Sequence, residues 1–350
     1  MGRAVFRHLR LIGPGWLRSA AVALIAHSLT AMSATGVQVT EVYGFRPGPD
    51  KFDGANPYSG LVQGPEGDFY GTTQNGGING RGTVFKLTAT GALTTLHSFN
   101  FFGDGANPYA GLAQGTDGSY YGTTDKGGSG HYLGTAFKIT STGNVSTLGS
   151  MDYTNGYDSY SGVILGRDGN FYGTTYSGGG NSLGCVFRMT SAGDFTVLHA
   201  FDAGGWPYGG LVQGQDGSFY GTTTTGGSNG YGTIFQISPS GVLATLHSFN
   251  KEDGLNPMGT LVEGRDGNFY GTAPRGGTNG SGTAFRITPT GAFTLLYSFP
   301  FVSFPQAGLV QGSDGNFYGS SYDGPRNPTE AGYIFKMTPD GAVTTLFRSC

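Results

Sequence analysis

The sequence is poor in charged residues and cysteines, and it has no long hydrophobic run. Charged side chains make up 12% of the 350 residues, and the formal net charge is −3. Because no basic stripe stands out, the sequence argues against a nucleic-acid partner. Two cysteines are too few for a disulfide framework. No apolar segment approaches the ~20 residues that a membrane-spanning helix needs, so no membrane span is expected in the mature chain.

The N-terminus differs in character from the rest of the chain. Three arginines within the first ten residues precede a short apolar stretch from Ala20 to Ala26, and small residues follow. This order is typical of a secretory signal peptide, here residues 1–34 with cleavage near Ser33-Ala34. The apolar stretch is too short to serve as an uncleaved anchor. We therefore expect a soluble mature protein that is periplasmic or secreted to the extracellular space.

Glycine and aromatic residues are abundant instead. The chain contains 67 Gly, 25 Phe and 20 Tyr. Such a glycine excess can indicate disorder, but disordered segments lack this strand-forming complement of aromatic and β-branched residues. Glycines at fixed offsets between strand-like runs indicate turns.

Six copies of one repeat of roughly 50 residues account for the rest of the sequence. Each copy contains an acid-Gly pair, a Phe-Tyr-Gly or Tyr-Tyr-Gly core, a Gly-Gly loop and a later Thr-Gly, Asp-Gly or similar turn. In the first copy we predict strands at Gly60–Gln63, Asp68–Thr73, Thr83–Thr88 and Ala92–Phe99. Acidic or Asn residues followed by Gly between apolar runs are strong hairpin signals, since tight hairpin turns need a positive φ. The core tyrosines recur every 48 to 51 residues, at Tyr70, Tyr121, Tyr172, Tyr220, Tyr270 and Tyr318.

Four antiparallel strands per copy predict an all-β fold, a single β-propeller of six four-stranded blades over residues 35–350. A β-solenoid is the competing array, but its usual coils are shorter and lack two tight hairpins. Thr40–Phe45 matches the fourth strand of a blade and has no preceding three, so we expect an extra N-terminal outer strand. The sixth copy also ends with its own outer strand, so the sequence leaves a seventh blade open.

The repeat motif itself resembles a known family. Gly-x-Asp-Gly-Asn-Phe-Tyr-Gly-Thr-Thr, the Gly-Gly loop and Gly-Thr-x-Phe-Lys-Ile-Thr are similar to the Gloeo/Verruco (GloVer) repeat of choice-of-anchor tandem-repeat exported bacterial proteins. The similarity covers residues 40–348. The repeat motif is more distantly similar to NHL-type propeller repeats. The resemblance implies an exported bacterial repeat protein without an assigned activity. Members of the family carry varied C-terminal anchors, whereas this sequence stops directly after a strand.

The residues that could carry chemistry have structural interpretations in this repeat. Three histidines occupy one repeat position where other copies place Tyr, Phe or, once, Gly, so we interpret them as half-buried rings rather than zinc ligands: His97, His199 and His247. Six acids precede the hairpin glycine and are interpreted as turn residues rather than calcium ligands: Glu66, Asp117, Asp168, Asp216, Asp266 and Asp314. Cys185 stands where other copies carry Thr and should be a small buried strand residue, and Cys350 a free terminal thiol. We therefore predict no catalytic residues, no metal site and no cofactor.

The loops that enter the first strand of each blade are the best candidate binding surface. They should share one face with the loops between the second and third strands. Their sequences vary between copies, which is typical of a binding face. An alternative is that their Pro and Tyr residues only pack between blades. The predicted ligand-binding residues are Asn56, Tyr58, Asn107, Tyr109, Trp206, Tyr208 and Asn256.

The sequence favours an exported, non-enzymatic binding or interaction module, with carbohydrate or a cell-surface protein as the ligand. One alternative is a propeller enzyme of the polysaccharide lyase or glycosidase type that uses the central channel. Glu263 is the lone acid in the predicted first strands, which argues against paired catalytic carboxylates there. A second alternative is a purely structural envelope protein, since the fold alone does not select a function.

Overall fold

The computed structural model describes residues 6–9, 23–25, 39–45, 53–300, 303–322 and 332–349, and no helix occurs among them. Six four-stranded antiparallel sheets make up most of this part of the chain, and they are the blades of a six-bladed β-propeller. Within each blade the four strands pair in the order in which they follow one another. The predicted all-β propeller is confirmed, with six four-stranded blades.

Three strands precede the blades: β1 (Phe6–Leu9), β2 (Ala23–Ile25) and β3 (Val39–Tyr43). They form one sheet in the order β2-β1-β3, so the predicted extra N-terminal strand at Thr40–Phe45 pairs with β1. The predicted cleavage site at Ser33-Ala34 lies outside the described residues, and the signal peptide stays a prediction. No helix in the described part of the chain is long and apolar enough to cross a membrane.

The blade strands recur with nearly constant bounds. Blade 1 contains β4 (Val62–Gln63), β5 (Phe69–Thr73), β6 (Thr83–Leu87) and β7 (Leu93–Ser98). Blade 2 contains β8 (Ala113–Gln114), β9 (Tyr120–Thr123), β10 (Thr135–Ile139) and β11 (Val145–Ser150). Blade 3 contains β12 (Val163–Leu165), β13 (Phe171–Thr175), β14 (Cys185–Met189) and β15 (Phe195–Ala200). Blade 4 contains β16 (Val212–Gln213), β17 (Phe219–Thr223), β18 (Thr233–Ile237) and β19 (Leu243–Ser248). Blade 5 contains β20 (Val262–Glu263), β21 (Phe269–Ala273), β22 (Thr283–Ile287) and β23 (Phe293–Ser298). Blade 6 contains β24 (Val310–Gln311), β25 (Phe317–Ser321), β26 (Gly332–Met337) and β27 (Val343–Ser349).

The hairpin turns follow the sequence signals. Gly67, in the acid-Gly turn between β4 and β5, has a φ of 87°, and Gly91, in the turn between β6 and β7, has a φ of 91°. Both values lie in the left-handed region that glycine adopts at low steric cost. The first strand of each blade has only two or three residues, shorter than the predicted Gly60–Gln63. The other three strands of blade 1 lie within one residue of the prediction at each end.

The chain divides into two compact units with three blades each. The first carries blades 1 to 3 (Thr40–Ala200), and the second carries blades 4 to 6 (Phe201–Cys350). Within each unit, the Phe-Tyr dipeptide of the second strand joins neighbouring blades. In the first unit Tyr70 stacks on Tyr120 with ring centroids 4.1 Å apart. In the second unit Tyr220 stacks on Phe269 at 3.9 Å. The repeated aromatic dipeptide therefore forms much of the core between blades.

A phenylalanine that follows the outer strand of most blades supplies a second contact; blade 2 has Met151 at this position. Phe99 follows blade 1 and meets Phe137 of blade 2 edge-on, with ring centroids 5.1 Å apart. Phe45 follows β3 and meets Phe85 of blade 1 in the same way at 5.2 Å. The N-terminal segment thus gives blade 1 the aromatic contact that blade 2 receives from the preceding copy of the repeat.

Candidate functional site

The entering loops and the loops between the second and third strands share one face of each blade, as predicted. In blade 1 the Ala55 N–H donates to the Asn75 carbonyl at 2.6 Å, and the Asn75 N–H donates back at 2.9 Å. In blade 2 Ala106 and Lys126 form the same bridge. Equivalent bridges join the two loops of blades 3 and 5. Each entering loop is therefore held on its own blade by backbone hydrogen bonds.

The three asparagines predicted as ligand contacts hold the backbone of these loops. Asn56, Asn107 and Asn256 have φ values of 54°, 55° and 54°, a left-handed conformation that asparagine tolerates better than most residues. The Asn107 Nδ2 donates to the Gln74 carbonyl of blade 1 at 3.0 Å. The Asn256 Nδ2 donates in the same way to the Thr224 carbonyl of blade 4 at 2.7 Å. The amides of Asn107 and Asn256 therefore bridge neighbouring blades. A ligand role for the three asparagines, and for Tyr58 and Tyr109 beside two of them, stays a prediction.

Four tyrosines of the first unit form a continuous series of rings, which we call the tyrosine row: Tyr58, Tyr109, Tyr160 and Tyr176. Tyr58 stacks on Tyr109 with centroids 4.8 Å apart and an interplanar angle of 14°. Tyr109 meets Tyr160 at 5.2 Å and 66°, and Tyr160 meets Tyr176 at 5.6 Å and 56°. Tyr58 is 44% exposed, and the other three rings are half-buried. The row therefore presents a partly exposed aromatic surface that runs across three blades.

The backbone below the row is held in place by threonines and serines. The Thr72 Oγ1 of blade 1 donates to the Ala110 carbonyl, directly after Tyr109, at 2.8 Å. Ser59, directly after Tyr58, lies within hydrogen-bond distance of the same threonine at 3.2 Å. These bonds attach the segment that carries each ring to a strand, so the row is a preformed surface of the kind that binds with little ordering cost.

Trp206 and Tyr208 occupy the corresponding loop of blade 4 in the second unit, and both are half-buried. Trp206 has a φ of 54°, at the position where other copies place asparagine. Its carbonyl accepts hydrogen bonds from the N–H and the Oγ1 of Thr224, at 3.2 and 2.9 Å. The backbone of Trp206 therefore has the conformation and the hydrogen bond that the asparagine backbone has in other copies, and an indole stands in place of the asparagine amide. A ligand role for Trp206 and Tyr208 stays a prediction.

A lysine and two aspartates lie beside the tyrosine row, and we call them the charge cluster: Asp125, Lys126 and Asp158. The Lys126 Nζ lies 2.8 Å from the Asp158 Oδ1 and 3.5 Å from the Asp125 Oδ1. Asp158 has a φ of 55° and stands where Asn107 stands in the preceding copy. Between blades 1 and 2, the Asn107 Nδ2 donates to the Asn75 Oδ1 at 3.2 Å. Between blades 2 and 3, the ion pair of Lys126 and Asp158 takes the place of this amide pair.

Burial and neighbouring charge perturb the titration of the cluster. Burial raises the pKa of the Asp125 carboxyl to about 6; Lys126 opposes this rise and the nearby Asp158 carboxylate adds to it. Burial lowers the pKa of Lys126, but the two carboxylates outweigh burial and the pKa is raised overall. Burial raises the pKa of the Tyr160 hydroxyl, and the charges of Asp125 and Asp158 raise it further. The cluster and the Tyr160 end of the row are therefore coupled in their titration.

A second set of rings lies on the same loops of the first unit. The Arg81 guanidinium lies 5.0 Å from the ring centroid of Phe101, and the His131 ring lies 5.0 Å from the ring of Tyr153. Each pair joins a loop of one blade to the entering loop of the next, so these contacts hold neighbouring blades together. Phe102, 71% exposed, packs edge-on against Phe101.

Two of the predicted histidine rings form pairs with aspartate. His97 Nε2 lies 2.5 Å from the Asp104 Oδ2, and His247 Nε2 lies 3.0 Å from the Asp253 Oδ2. His199 occupies the corresponding strand of blade 3. The two pairs belong to different blades and cap the turn that follows each outer strand. Within the described ranges, no group of three or more His, Cys, Asp or Glu side chains is arranged to hold a metal ion.

The hairpin acids act as turn residues, as predicted. The Asp168 Oδ1 accepts the Asn170 N–H at 3.1 Å, and its Oδ2 accepts the Tyr172 hydroxyl at 2.8 Å. The tyrosine bond recurs at Asp117, Asp216, Asp266 and Asp314. In blade 5 the Glu263 carboxylate accepts the N–H of Gln215 at 3.1 Å. These acids are used by the scaffold.

Cys185 is a fully buried strand residue, as predicted from its sister threonines. Its Sγ lies 3.2 Å from the Thr175 Oγ1 and 3.4 Å from the Asn155 carbonyl. Burial raises the pKa of its thiol to about 11. Cys350 lies outside the described residues.

Five residues of the site were absent from the sequence prediction: Tyr160, Tyr176, Asp125, Lys126 and Asp158. Tyr160 could have been found by aligning the third copy on its final tyrosine, since Asp158-Ser159-Tyr160 corresponds to Asn107-Pro108-Tyr109. The changed asparagine and proline concealed that match. Asp125 and Lys126 have no common residue type in other copies, and nothing local in the sequence marks them.

The comparisons with known proteins concern the repeat and the fold. The model of the Gloeobacter/Verrucomicrobia repeat matches residues 28–206 and 202–349. No protein of curated function matches the chain. The periplasmic gluconolactonase PpgL of Pseudomonas aeruginosa has a similar structure, with a TM-score of 0.62, 15% identity and coverage of 99% of this chain and 96% of that chain. A polysaccharide lyase of family PL25, an ulvan lyase bound to a glucuronic acid–sulfated rhamnose saccharide, has a TM-score of 0.55 and 11% identity, with coverage of 84% and 85%. At these identities the likeness concerns the fold alone.

Proposed function

The chain belongs to the Gloeobacter/Verrucomicrobia repeat family, and we propose that it binds a saccharide on the tyrosine row of its first unit. The observation that carries the proposal is the row itself: four rings in sequence, with one 44% exposed and each backbone segment held by neighbouring strands. Tyrosine offers an apolar face for the C–H surface of a sugar ring and a hydroxyl for its polar edge. Export through the predicted signal peptide would bring this surface to extracellular or envelope glycans.

Binding of the full chain to a panel of immobilised polysaccharides tests the proposal. Tyr58→Ala and Tyr109→Ala should each weaken binding roughly tenfold, the loss of about 1.4 kcal/mol that a central aromatic contact typically contributes. Val242→Ala is the control, because Val242 is 72% exposed and lies in the hairpin between β18 and β19, away from the entering loops. The proposal fails if no saccharide is retained, or if both row variants bind as the control does. Failure against every ligand class would favour the structural envelope alternative.

A second candidate function is catalysis at the same row. Asp125 favours it, since a carboxyl with a pKa of about 6 is suited to proton transfer near neutral pH. Solved structures of similar fold include a gluconolactonase and a polysaccharide lyase, so lactone opening and saccharide cleavage are the reactions to assay. Asp125→Asn should abolish turnover and leave saccharide binding intact. An absence of turnover on sugar lactones and on every bound polysaccharide would eliminate this candidate.

A further inference from the structure

Three aromatic rings on the loops of blade 2 and an arginine of blade 1 form a group that we call the aromatic patch: Phe101, Phe102, Tyr132 and Arg81. Phe101 and Tyr132 stack with ring centroids 5.6 Å apart and an interplanar angle of 26°. Phe102 stands nearly perpendicular to both rings, at centroid distances of 5.2 and 6.0 Å. Phe102 is 71% exposed and Tyr132 is 45% exposed, and Arg81 is exposed as well. The patch therefore places apolar surface and a cation side by side in contact with solvent.

The two loops that carry these rings are longer than their counterparts in blade 5. A glycine N–H donates to the Phe101 carbonyl in blade 2 and to the Lys251 carbonyl in blade 5, at 2.7 and 3.0 Å, so these two residues correspond. Phe102-Gly103 then stands where blade 5 has Glu252 alone. In the loop between the second and third strands, five residues including Tyr132 separate the Gly-Gly pair from the closing glycine, and blade 5 has four. The added length of both loops thus coincides with the aromatic residues.

The backbone is strained at two of the three rings. Phe101 has a φ of 79° and Tyr132 has a φ of 59°, in the left-handed region that bulky side chains rarely adopt. Lys251, the counterpart of Phe101, does not have a positive φ. Strained backbone beneath exposed rings works against stability, and such strain is concentrated at binding and active sites.

The positive charge of Arg81 has no ion-pair partner in the described part of the chain. Its guanidinium lies 5.0 Å from the ring centroid of Phe101, and that is its side-chain contact. Its carbonyl accepts the Asn107 N–H at 2.7 Å, which fixes the backbone from which the side chain extends. The counterpart in blade 5 is Ser281, since both residues bridge the first glycine of the Gly-Gly pair. The loop geometry therefore does not require an arginine here.

The carboxylates of the surrounding loops are already paired. All residues of the three loops that contribute to the patch are described: 74–82, 100–109 and 124–134. Asp104 and Asp125 are the carboxylates in these ranges. Asp104 pairs with His97 and accepts the Asn100 N–H at 2.9 Å. Asp125 lies 3.5 Å from the Nζ of its neighbour Lys126.

We propose that the aromatic patch binds a protein segment that carries a carboxylate beside an apolar side chain. Phe102 and Tyr132 would cover the apolar side chain, and Arg81 would pair with the carboxylate. Aromatic residues and arginine are enriched at the centres of protein interfaces, and a guanidinium forms two parallel hydrogen bonds to one carboxylate. The exposed Phe102 favours a protein ligand over a saccharide, because phenylalanine has no hydroxyl for a polar edge. The patch shares no residue with the tyrosine row, so this binding is additional to the proposed saccharide binding.

Two exposed residues of the patch provide the variants. Phe102→Ser removes a ring that is 71% exposed, and its control is Val242→Ser, which removes an apolar side chain that is 72% exposed in a hairpin of blade 4. Arg81→Ser introduces the residue type of blade 5. Its control is Arg348→Ser in blade 6, because the Arg348 guanidinium also lies over a ring, 5.3 Å from the centroid of Tyr333.

The experiment selects random 12-residue peptides, displayed on phage, for binding to the immobilised full chain after passage over the Phe102→Ser variant. Enriched peptides should share an Asp or Glu within a few residues of a large apolar side chain. Synthetic copies should bind Arg81→Ser about tenfold more weakly than the wild type, and both control variants within about twofold of it. Replacing the peptide's acid with its amide should weaken binding to the wild type but not to Arg81→Ser, because the cycle isolates the pair.

Four results would overturn the proposal. They are the absence of any enriched sequence, enriched peptides without a common acid, an equal loss of affinity in Arg81→Ser and Arg348→Ser, and amide replacement that weakens binding to Arg81→Ser as much as to the wild type. Retention of a polyuronate that is lost in Phe102→Ser and Arg81→Ser, with no peptide enriched, would instead assign the patch to acidic saccharides. The proposed saccharide binding is tested at Tyr58 and Tyr109, so the two proposals fail independently.

Discussion

Replacing Gly122 with alanine should destabilise blade 2, because the repeat leaves no room for a side chain at this position. Gly122 lies in β9, beneath the ring of Phe137 from β10. A Cβ atom added there would lie 2.7 Å from the Phe137 Cζ and 2.9 Å from the Leu112 Cδ2. Carbon atoms in van der Waals contact are separated by ~3.5–4.0 Å, so both neighbours would have to move. Phe137 is fully buried and packs on Phe99, which limits that movement.

The expected cost follows from this overpacking. Inserting a methyl group into a well-packed core typically costs about 1–3 kcal/mol. Gly60→Ala is the control, because no heavy atom lies within 4 Å of its added Cβ and its φ lies outside the left-handed region. The control should change the free energy of unfolding by less than about 0.5 kcal/mol. At roughly 2–4 °C per kcal/mol, Gly122→Ala should lower the melting temperature by about 2–12 °C.

Thermal and urea unfolding of both variants, followed by far-UV circular dichroism, measure the difference. Phe137→Leu in the Gly122→Ala background tests the assigned clash. Removing the ring tip should make the double variant about 1 kcal/mol more stable than the sum of the single changes predicts. Equal stability of Gly122→Ala and Gly60→Ala, or strict additivity in the double variant, would refute the reasoning.

Three further predictions concern buried and turn residues. Burial raises the pKa of the Cys185 thiol to about 11. In a variant without the terminal cysteine, this thiol should therefore resist a thiol reagent at pH 8 until the protein is unfolded. Reaction of the native protein at the rate of a free thiol would contradict this. Burial alone would raise the pKa of Asp168, but the hydrogen bonds from Asn170 and Tyr172 outweigh it and lower the pKa. The stability that Asp168 contributes is thus present above its unfolded pKa and lost as the pH falls through the lower folded value. Asp168→Asn should therefore destabilise the protein by less than about 1 kcal/mol near pH 6, and this difference in the free energy of unfolding, measured in urea, should shrink as the pH is lowered below about 4; a difference that stays constant with pH would contradict this. Asn256→Ala should lower the melting temperature more than Asn256→Gly does. Both variants lose the amide hydrogen bond, but glycine adopts the left-handed φ of 54° at lower cost than alanine. Equal melting temperatures of the two variants would show that the backbone conformation contributes little.

The blade architecture could be predicted from the sequence because its signals are local. Gly67 and Gly91 mark hairpins through the positive φ that each turn requires, and a turn is complete within a few residues. Repetition then multiplies one local pattern into six blades. The structural interpretation of Asp168 followed for the same reason, since its partners lie two and four residues away.

The candidate site depended on contacts between distant parts of the chain. Tyr58 and Tyr109 are 51 residues apart, and their rings stack only after two complete blades have packed together. The sequence indicated their loop, but not that Tyr160 continues the row or that Asp125 lies beside it. The roles of Asn107 and its counterparts were equally hidden, because their amides bond to the backbone of the neighbouring blade.

The sequence by itself therefore determined the unit of this protein, a four-stranded blade with two glycine turns, because backbone conformation and hairpin pairing are set by residues close along the chain. The tertiary structure decided which rings meet and how an acidic group titrates. Stacking, burial and electrostatic interaction depend on distances in space, and blade-to-blade packing brings Tyr160, Asp125 and Asp158 together from two copies of the repeat.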